Sequence, residues 1–77
     1  MKTNYDYLII LEQGEKNWGA YSPDVPGCVS VGDSRDEALE SFMEALEAHL
    51  AIMAEEGMEL PQPAYYAVRT TEVEFTR

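Results

Sequence analysis

The sequence predicts a two-layer α+β fold, in which three strands are followed by one long helix and then by one or two further strands. Apolar residues recur at three- and four-residue steps over one long stretch only, between Ser34 and Gly57. Short segments rich in β-branched and aromatic residues, bounded by Gly and Pro, lie on either side of that stretch. We therefore expect residues 1–77 to form a single domain, with one helix across an antiparallel-rich sheet.

Three segments before the helix have the composition of strands. The first, residues 5–11 (YDYLIIL), is apolar on both faces and is therefore expected to be a central strand. A polar loop leads to a second strand at residues 18–21, and a third follows at residues 28–31. Between these two, Pro26 and Gly27 predict a type II turn, because Pro presets the first central position and Gly provides the positive φ of the second.

The helix has sequence signals at both ends. Ser34 and Glu37 have the spacing of a capping box, and Gly57 can adopt the left-handed conformation that closes a helix. Six apolar residues share one face and are expected to form its core-facing stripe: Leu39, Phe42, Met43, Leu46, Leu50 and Met53. Another face carries four glutamates without an intervening lysine, which we call the acidic ridge: Glu37, Glu40, Glu44 and Glu47. Like charges at this spacing cost about 0.2–0.5 kcal/mol per pair.

Two strands are expected after the helix. Pro61 and Pro63 hold the chain extended, and residues 65–69 are then expected to form the fourth strand. At the end of the chain, apolar or small residues alternate with glutamates in the pattern of a half-buried strand. We expect this last strand to pair with the edge of another copy of the chain through Thr71, Val73 and Phe75.

The charge balance restricts the partners of the chain. Fifteen acidic residues against five basic ones give a net charge of -10, so nucleic acid is a poor partner and a basic protein is a better one. The chain is close to the smallest size at which one core stabilises a fold, and we therefore expect a homodimer or higher oligomer. With a single cysteine, no secretory signal and no apolar run of membrane length, the sequence predicts a cytoplasmic protein without a membrane segment.

Four motifs follow one another along most of the chain: WGAY, SPDVPGC, VGDSRDEAL and EEGMELPQP. In this order they resemble the HicB-type antitoxins of bacterial toxin–antitoxin pairs. The most specific part is the combination of P-D-x-P-G-C with G-D-S-x-x-E-A-L. The resemblance implies a partial ribonuclease-H-like or double-stranded-RNA-binding-domain-like fold and self-association. It also implies neutralisation of a small basic HicA-type toxin that cleaves messenger RNA.

Many members of that family carry a C-terminal DNA-binding module. The segment after Pro63 is too short for one, so we expect no C-terminal DNA-binding domain and no direct nucleic-acid binding. Some short members of the family act without a toxin, and a stand-alone interaction protein is therefore the alternative to an antitoxin.

The implied function is that of a binding module, so we expect no enzymatic activity, catalytic residue, metal ion or cofactor. The candidate toxin-binding residues are those of the acidic ridge, Glu37, Glu40, Glu44 and Glu47, and the alternative is a helix face that is simply solvated. A third interpretation is a degenerate metal-dependent nuclease using Asp6, Asp24 and Asp33. Asp24 and Asp33, however, have expected roles in a turn and at a helix start.

For the remaining candidate residues, the simplest interpretation is a role in packing. His49 lies at the border of the apolar stripe without a second ligand at metal-binding spacing. Cys28 has no neighbouring cationic residue that would lower its pKa. Four aromatic residues lack the interleaved Lys and Arg of a base-stacking platform: Trp18, Tyr21, Tyr65 and Tyr66.

Overall fold

The computed structural model describes residues 6–68, which form a three-stranded sheet with one helix on it. The elements are β1 (Ile10–Gln13), β2 (Trp18–Tyr21), β3 (Val29–Gly32) and α1 (Arg35–Glu55). The strands are antiparallel in the order β1-β2-β3, and α1 contacts all three, most extensively β3. The predicted α+β class, with three strands followed by one long helix, is confirmed.

The first strand differs from its prediction. It begins at Ile10 and extends to Gln13, whereas residues 5–11 were expected. The N–H of Leu8 donates to Asp24 Oδ2 at 3.1 Å, which keeps this part of the chain outside the sheet. Within the described residues β2 is the central strand, so the expectation that the first strand is central is wrong for this sheet.

The segment after the helix also differs from its prediction. Residues 65–68 form no strand, although a fourth strand was expected over residues 65–69. At the start of this segment, the N–H of Ala64 donates to Asp24 Oδ1 at 2.8 Å, so it is not available for sheet pairing. The residues expected at an oligomer interface lie outside the described part of the chain: Thr71, Val73 and Phe75.

The register of the strands separates an inner face of the sheet from an outer one. Ala20 pairs with Leu11 and with Ser30, and this set lies on the inner face, beneath α1. Among residues 6–68, five hydrophobic residues form the buried core: Ala20, Val25, Cys28, Ala38 and Phe42. Partly buried side chains pack around them: Tyr7, Ile9, Leu11, Trp18, Ala45 and Leu46.

Local hydrogen bonds explain where α1 begins and ends. Ser34 Oγ accepts the N–H of Glu37 at 3.1 Å, and Glu37 Oε2 accepts the N–H of Asp33 at 3.0 Å. At the other end, Gly57 has a φ of 73°, its N–H donates to Ala54 O, and the next N–H donates to Met53 O. These two bonds form a Schellman motif. No helix within residues 6–68 has the length and apolarity needed to cross a bilayer.

The apolar stripe of α1 is rotated from its predicted position. The fully buried helix residues are Ala38 and Phe42, whereas Met43 is 52% exposed and Leu39 is half-buried. Met43 was therefore wrongly predicted as a core residue. Gly32 is the physical reason, since its missing side chain lets the first turn of α1 approach β3 at Ala38. The other residues of the predicted stripe are half-buried: Leu46, Leu50 and Met53.

The loop between β2 and β3 contains a tight turn. The N–H of Cys28 donates to Val25 O at 3.4 Å across Pro26 and Gly27. Gly27 has a φ of 88°, which is the value that the second central position of a type II turn requires. The turn places Val25 and Cys28 in the core.

Candidate protein-binding surface

The acidic ridge runs along an exposed side of α1, where Glu37, Glu40 and Glu44 lie beside the end of β3. All four of its glutamates are exposed. Within residues 6–68, the ion pair on α1 joins Arg35 Nε to Asp36 Oδ1 at 4.0 Å. No ridge glutamate has a cationic partner among these residues. The repulsion between neighbouring ridge carboxylates is therefore not relieved by the described part of the fold, and a positively charged partner would relieve it.

The four ridge residues are not equivalent. Glu37 has a structural role, because its Oε2 accepts the N–H of Asp33 at the start of the helix. Glu40, Glu44 and Glu47 make no such bond to the described residues. These three side chains are the ones available to a partner.

A shallow depression lies on each side of the ridge. The first, of about 380 Å³, lies between α1 and the end of β3 and has a polar lining that includes Asn17, Asp33 and Ser41. The second, of about 450 Å³, lies on the other side and has an apolar floor formed by Leu39 and Met43. Glu40 and Glu44 line both depressions, which places the ridge between them.

The second depression combines two properties that protein interfaces need. Its apolar floor can be buried by a partner, and Met43 is an unbranched, adaptable side chain. Its rim is acidic, being formed by Asp36, Glu40, Glu44 and Glu47. An apolar centre with a charged rim is the usual anatomy of a protein–protein contact. Sequence analysis identified the rim but assigned the floor to the core.

Asp24 has a structural role that sequence analysis missed. Its carboxylate is buried and accepts two backbone N–H groups, from Leu8 at 3.1 Å and from Ala64 at 2.8 Å. A second bond joins the same two segments, since the Tyr7 hydroxyl donates to Pro61 O at 2.6 Å. The donors lie 16 and 40 residues away in sequence, so no local pattern reveals this clamp. It joins the start of the described chain to the segment that follows the helix.

We expect the stabilisation that the clamp provides to depend on pH and to weaken in acid. The bond from the Ala64 N–H, supported by those from Leu8 and Tyr65, lowers the pKa of Asp24, against the opposing effect of burial. The pKa of Asp24 is lower in the folded protein than the ordinary value of about 3.9. The ionised carboxylate therefore stabilises the fold above that pH, and this contribution is lost as the pH falls through the folded pKa. We expect Asp24→Asn to lower Tm by about 5 °C or more at pH 7, and this difference to shrink towards pH 3.

Thermal unfolding followed by circular dichroism at several pH values measures this effect. Asp6→Asn is the matched control, because Asp6 is exposed and its replacement removes the same charge as Asp24→Asn does. Equal Tm values for the wild type and Asp24→Asn at pH 7 would contradict the clamp.

The three aspartates of the nuclease interpretation are either bonded to backbone N–H groups or exposed. Both oxygens of Asp24 accept backbone hydrogen bonds, and Asp6 and Asp33 are exposed. Among residues 6–68, no three His, Cys, Asp or Glu side chains come together as a metal site. Burial raises the pKa of the Cys28 thiol, which favours the unreactive protonated form. His49 is half-buried on α1.

The four aromatic candidates do not form one platform. Trp18 packs against the core from the inner face of the sheet. Tyr21 lies on the outer face, where its hydroxyl donates to Glu12 Oε1 at 3.1 Å, and this bond raises the pKa of Tyr21. Tyr65 and Tyr66 lie in the segment after the helix and are exposed. Bases could not stack on all four together.

Comparison with known proteins identifies relatives of this chain. Antitoxin HicB 2 of Photorhabdus laumondii is 33% identical over 64 residues, which are 83% of this chain and 46% of that protein. A protein of Haemophilus phage HP1, described as an uncharacterized 14.9 kDa protein in the rep-hol intergenic region, is 39% identical over 56 residues, 73% of this chain and 42% of its own length. A UPF0150 protein of Synechocystis is 31% identical over 62 residues, 79% of this chain and 78% of that protein.

The chain spans less than half the length of the Photorhabdus and phage proteins. No solved structure matches it significantly. Residues 7–77 match the family described as "HicB_like antitoxin of bacterial toxin-antitoxin system". This match includes the Asp24 clamp, the Gly32 contact and all of α1 with its acidic ridge. The chain therefore belongs to the HicB-like antitoxin family of bacterial toxin–antitoxin systems.

Proposed function

We propose that this chain is a non-catalytic antitoxin that neutralises a small basic HicA-type toxin in the cytoplasm by direct protein–protein contact. The observation that supports this proposal most is the acidic ridge, whose charges the described part of the fold leaves uncompensated beside an apolar depression. Family membership supplies the class of partner, a toxin. No metal ion, cofactor or catalytic residue takes part in the proposed mechanism.

The proposed mechanism is occlusion of the toxin's RNA-binding surface. A protein that cleaves RNA holds the phosphate backbone with Lys and Arg side chains. Glu40, Glu44 and Glu47 would pair with those cations and so compete with RNA for them. Leu39 and Met43 would bury an apolar part of the toxin and exclude water from the contact. The toxin would then be unable to bind its substrate.

Charge reversal on the ridge tests this proposal. We expect the double variant Glu40→Lys, Glu44→Lys to bind a small basic HicA-type toxin about tenfold or more weakly than the wild type does, because attraction becomes repulsion. Isothermal titration calorimetry at two salt concentrations measures the affinity and its salt dependence, and a growth-rescue assay measures neutralisation. The wild type is expected to rescue growth and the variant is not.

The matched control is Glu55→Lys, Glu56→Lys, which makes the same change in net charge at exposed positions at the far end of α1. We expect this control to bind nearly as well as the wild type. Equal weakening of both variants would assign the effect to net charge alone. Unchanged binding by the ridge variant, or wild-type protein that neither binds nor rescues, would contradict the proposal.

A further inference from the structure

The open edge of β3 lacks the features that usually prevent an edge strand from pairing. Within the described sheet, Val29–Gly32 pairs on one side only, with β2. Alternate residues of an antiparallel strand bond to the same neighbour, so about half of the residues of β3 direct their N–H and C=O groups away from β2. The sequence of β3, VSVG, contains no lysine, glutamate or proline, which often protect such an edge. The edge is therefore suited to accepting the backbone of another strand.

The outer side of this edge is apolar. Ser30 pairs with Ala20 on the inner face of the sheet, so the residues before and after it, Val29 and Val31, point to the outer face, opposite α1. Val29 is 65% exposed and Val31 is 61% exposed. Apolar side chains of an added strand could pack against these two valines.

The inner side of the same edge is acidic. The first depression lies there, between α1 and the end of β3, and Val31 and Gly32 line it from the strand. Four carboxylates also line it: Asp33, Glu37, Glu40 and Glu44. Among the described residues that line this depression, none is Lys or Arg. A strand added about 4.8 Å from β3 would direct every second side chain towards this acidic lining.

We propose that the toxin adds a strand to the open edge of β3, and that basic residues alternate with apolar ones along that strand. The proposal rests on the proposed function, which supplies the toxin as the partner. The basic side chains would meet Glu40 and Glu44, and the apolar ones would pack against Val29 and Val31, because successive side chains of a strand point to opposite faces. Main-chain hydrogen bonds would provide affinity, and the alternating side chains would provide specificity.

Charge favours a basic strand over other occupants of this edge. A second copy of the chain, paired through its own β3, would bring a second set of four carboxylates to the same place. RNA would bring phosphates, which the same carboxylates repel. A basic strand instead relieves the repulsion among these carboxylates.

A strand at this edge would extend the contact that the proposed function describes. Glu40 and Glu44 line both depressions, so they separate the β3 edge from the apolar floor formed by Leu39 and Met43. A toxin that pairs with β3 and also covers this floor would enclose the acidic ridge. Enclosure removes water from the ion pairs and so strengthens them.

Three synthetic peptides of about six residues test the proposal on the wild-type protein. The first alternates lysine with valine. The second has the same sequence and charge but is N-methylated at every residue, which removes its backbone donors and blocks sheet pairing. The third has glutamate in place of lysine. We expect the first peptide to bind about tenfold or more tightly than either of the others in an NMR titration, and to slow amide exchange within Val29–Gly32.

Amide hydrogen exchange on the complex with a HicA-type toxin applies the same test to the proposed partner. We expect exchange within Val29–Gly32 to slow on binding, while exchange in β1 stays unchanged. A toxin that binds without slowing exchange in β3 would overturn the strand proposal and leave the proposed function intact. Equal binding of the lysine peptide and its N-methylated or acidic counterpart would also overturn it. A chain that binds the lysine peptide but no HicA-type toxin would overturn the toxin as the occupant of this edge, together with the proposed function.

Discussion

Replacing Phe42 with alanine is expected to lower the free energy of unfolding by about 3–5 kcal/mol. Phe42 is fully buried and is one of the two largest side chains in the core, together with Val25. Its removal takes away apolar contacts and leaves a cavity between α1 and the sheet, which close-packed neighbours cannot fill. A domain of this size rarely gains more than about 3–5 kcal/mol of stability from a single core. We therefore expect Phe42→Ala to be largely unfolded at 25 °C.

Circular dichroism without urea and along a urea titration measures this loss, because a largely unfolded variant lacks most of the helical signal before urea is added. Met43→Ala is the matched control, because Met43 is the next residue on the same helix and is 52% exposed. We expect it to cost less than about 1 kcal/mol, the usual range for changes at the surface. Similar losses for both variants would mean that the helix does not face the sheet through Phe42.

Gly32→Ala is expected to have the second largest effect, a loss of about 1–3 kcal/mol or more from overpacking. A Cβ atom at this position would lie 2.5 Å from Ala38 N and 2.8 Å from the carbonyl carbon of Glu37. Both are backbone atoms of the first turn of α1, so the clash can be relieved only if the helix moves away from β3. That movement would also disturb the bond from the Asp33 N–H to Glu37 Oε2.

Gly19→Ala is the matched control for this variant. Gly19 lies in the neighbouring strand. Among the atoms of the described residues, an added Cβ would meet Ser30 O alone, at an ordinary distance of 3.9 Å. We expect its effect on stability to be within about 1 kcal/mol. Chemical unfolding of both variants checks the difference, and a Gly32→Ala variant as stable as Gly19→Ala would disprove the close helix–strand contact.

The contact at Gly32 connects the fold to the candidate binding surface. It holds the first turn of α1 against the end of β3, and this sets the rotation of the helix. With Ala38 and Phe42 turned inwards, Leu39 and Met43 are left beside the acidic ridge as the floor of a depression. A packing requirement at one glycine thus decides which apolar side chains a partner can reach.

Several features of this protein follow from the sequence by itself because they depend on neighbouring residues. The ends of α1 are set by bonds within a few residues of Ser34 and Gly57, and the turn at Gly27 needs only its own positive φ. The strand at Trp18–Tyr21 has the predicted bounds, and the third strand differs by one residue at each end. The acidic ridge also follows from spacing along one helix, and the motif order indicated the family.

Contacts between separate elements determine which side of α1 faces the sheet and where residues 6–9 and 57–68 lie. Hydrophobicity favoured Met43 over Ala38 as a core residue. The close contact between α1 and β3, however, requires a small side chain at position 38, and the sequence of the helix alone does not show this requirement. The clamp at Asp24 joins donors distant in sequence, and it explains why the first strand starts late. These features depend on contacts between separate elements, which form only when the chain has folded.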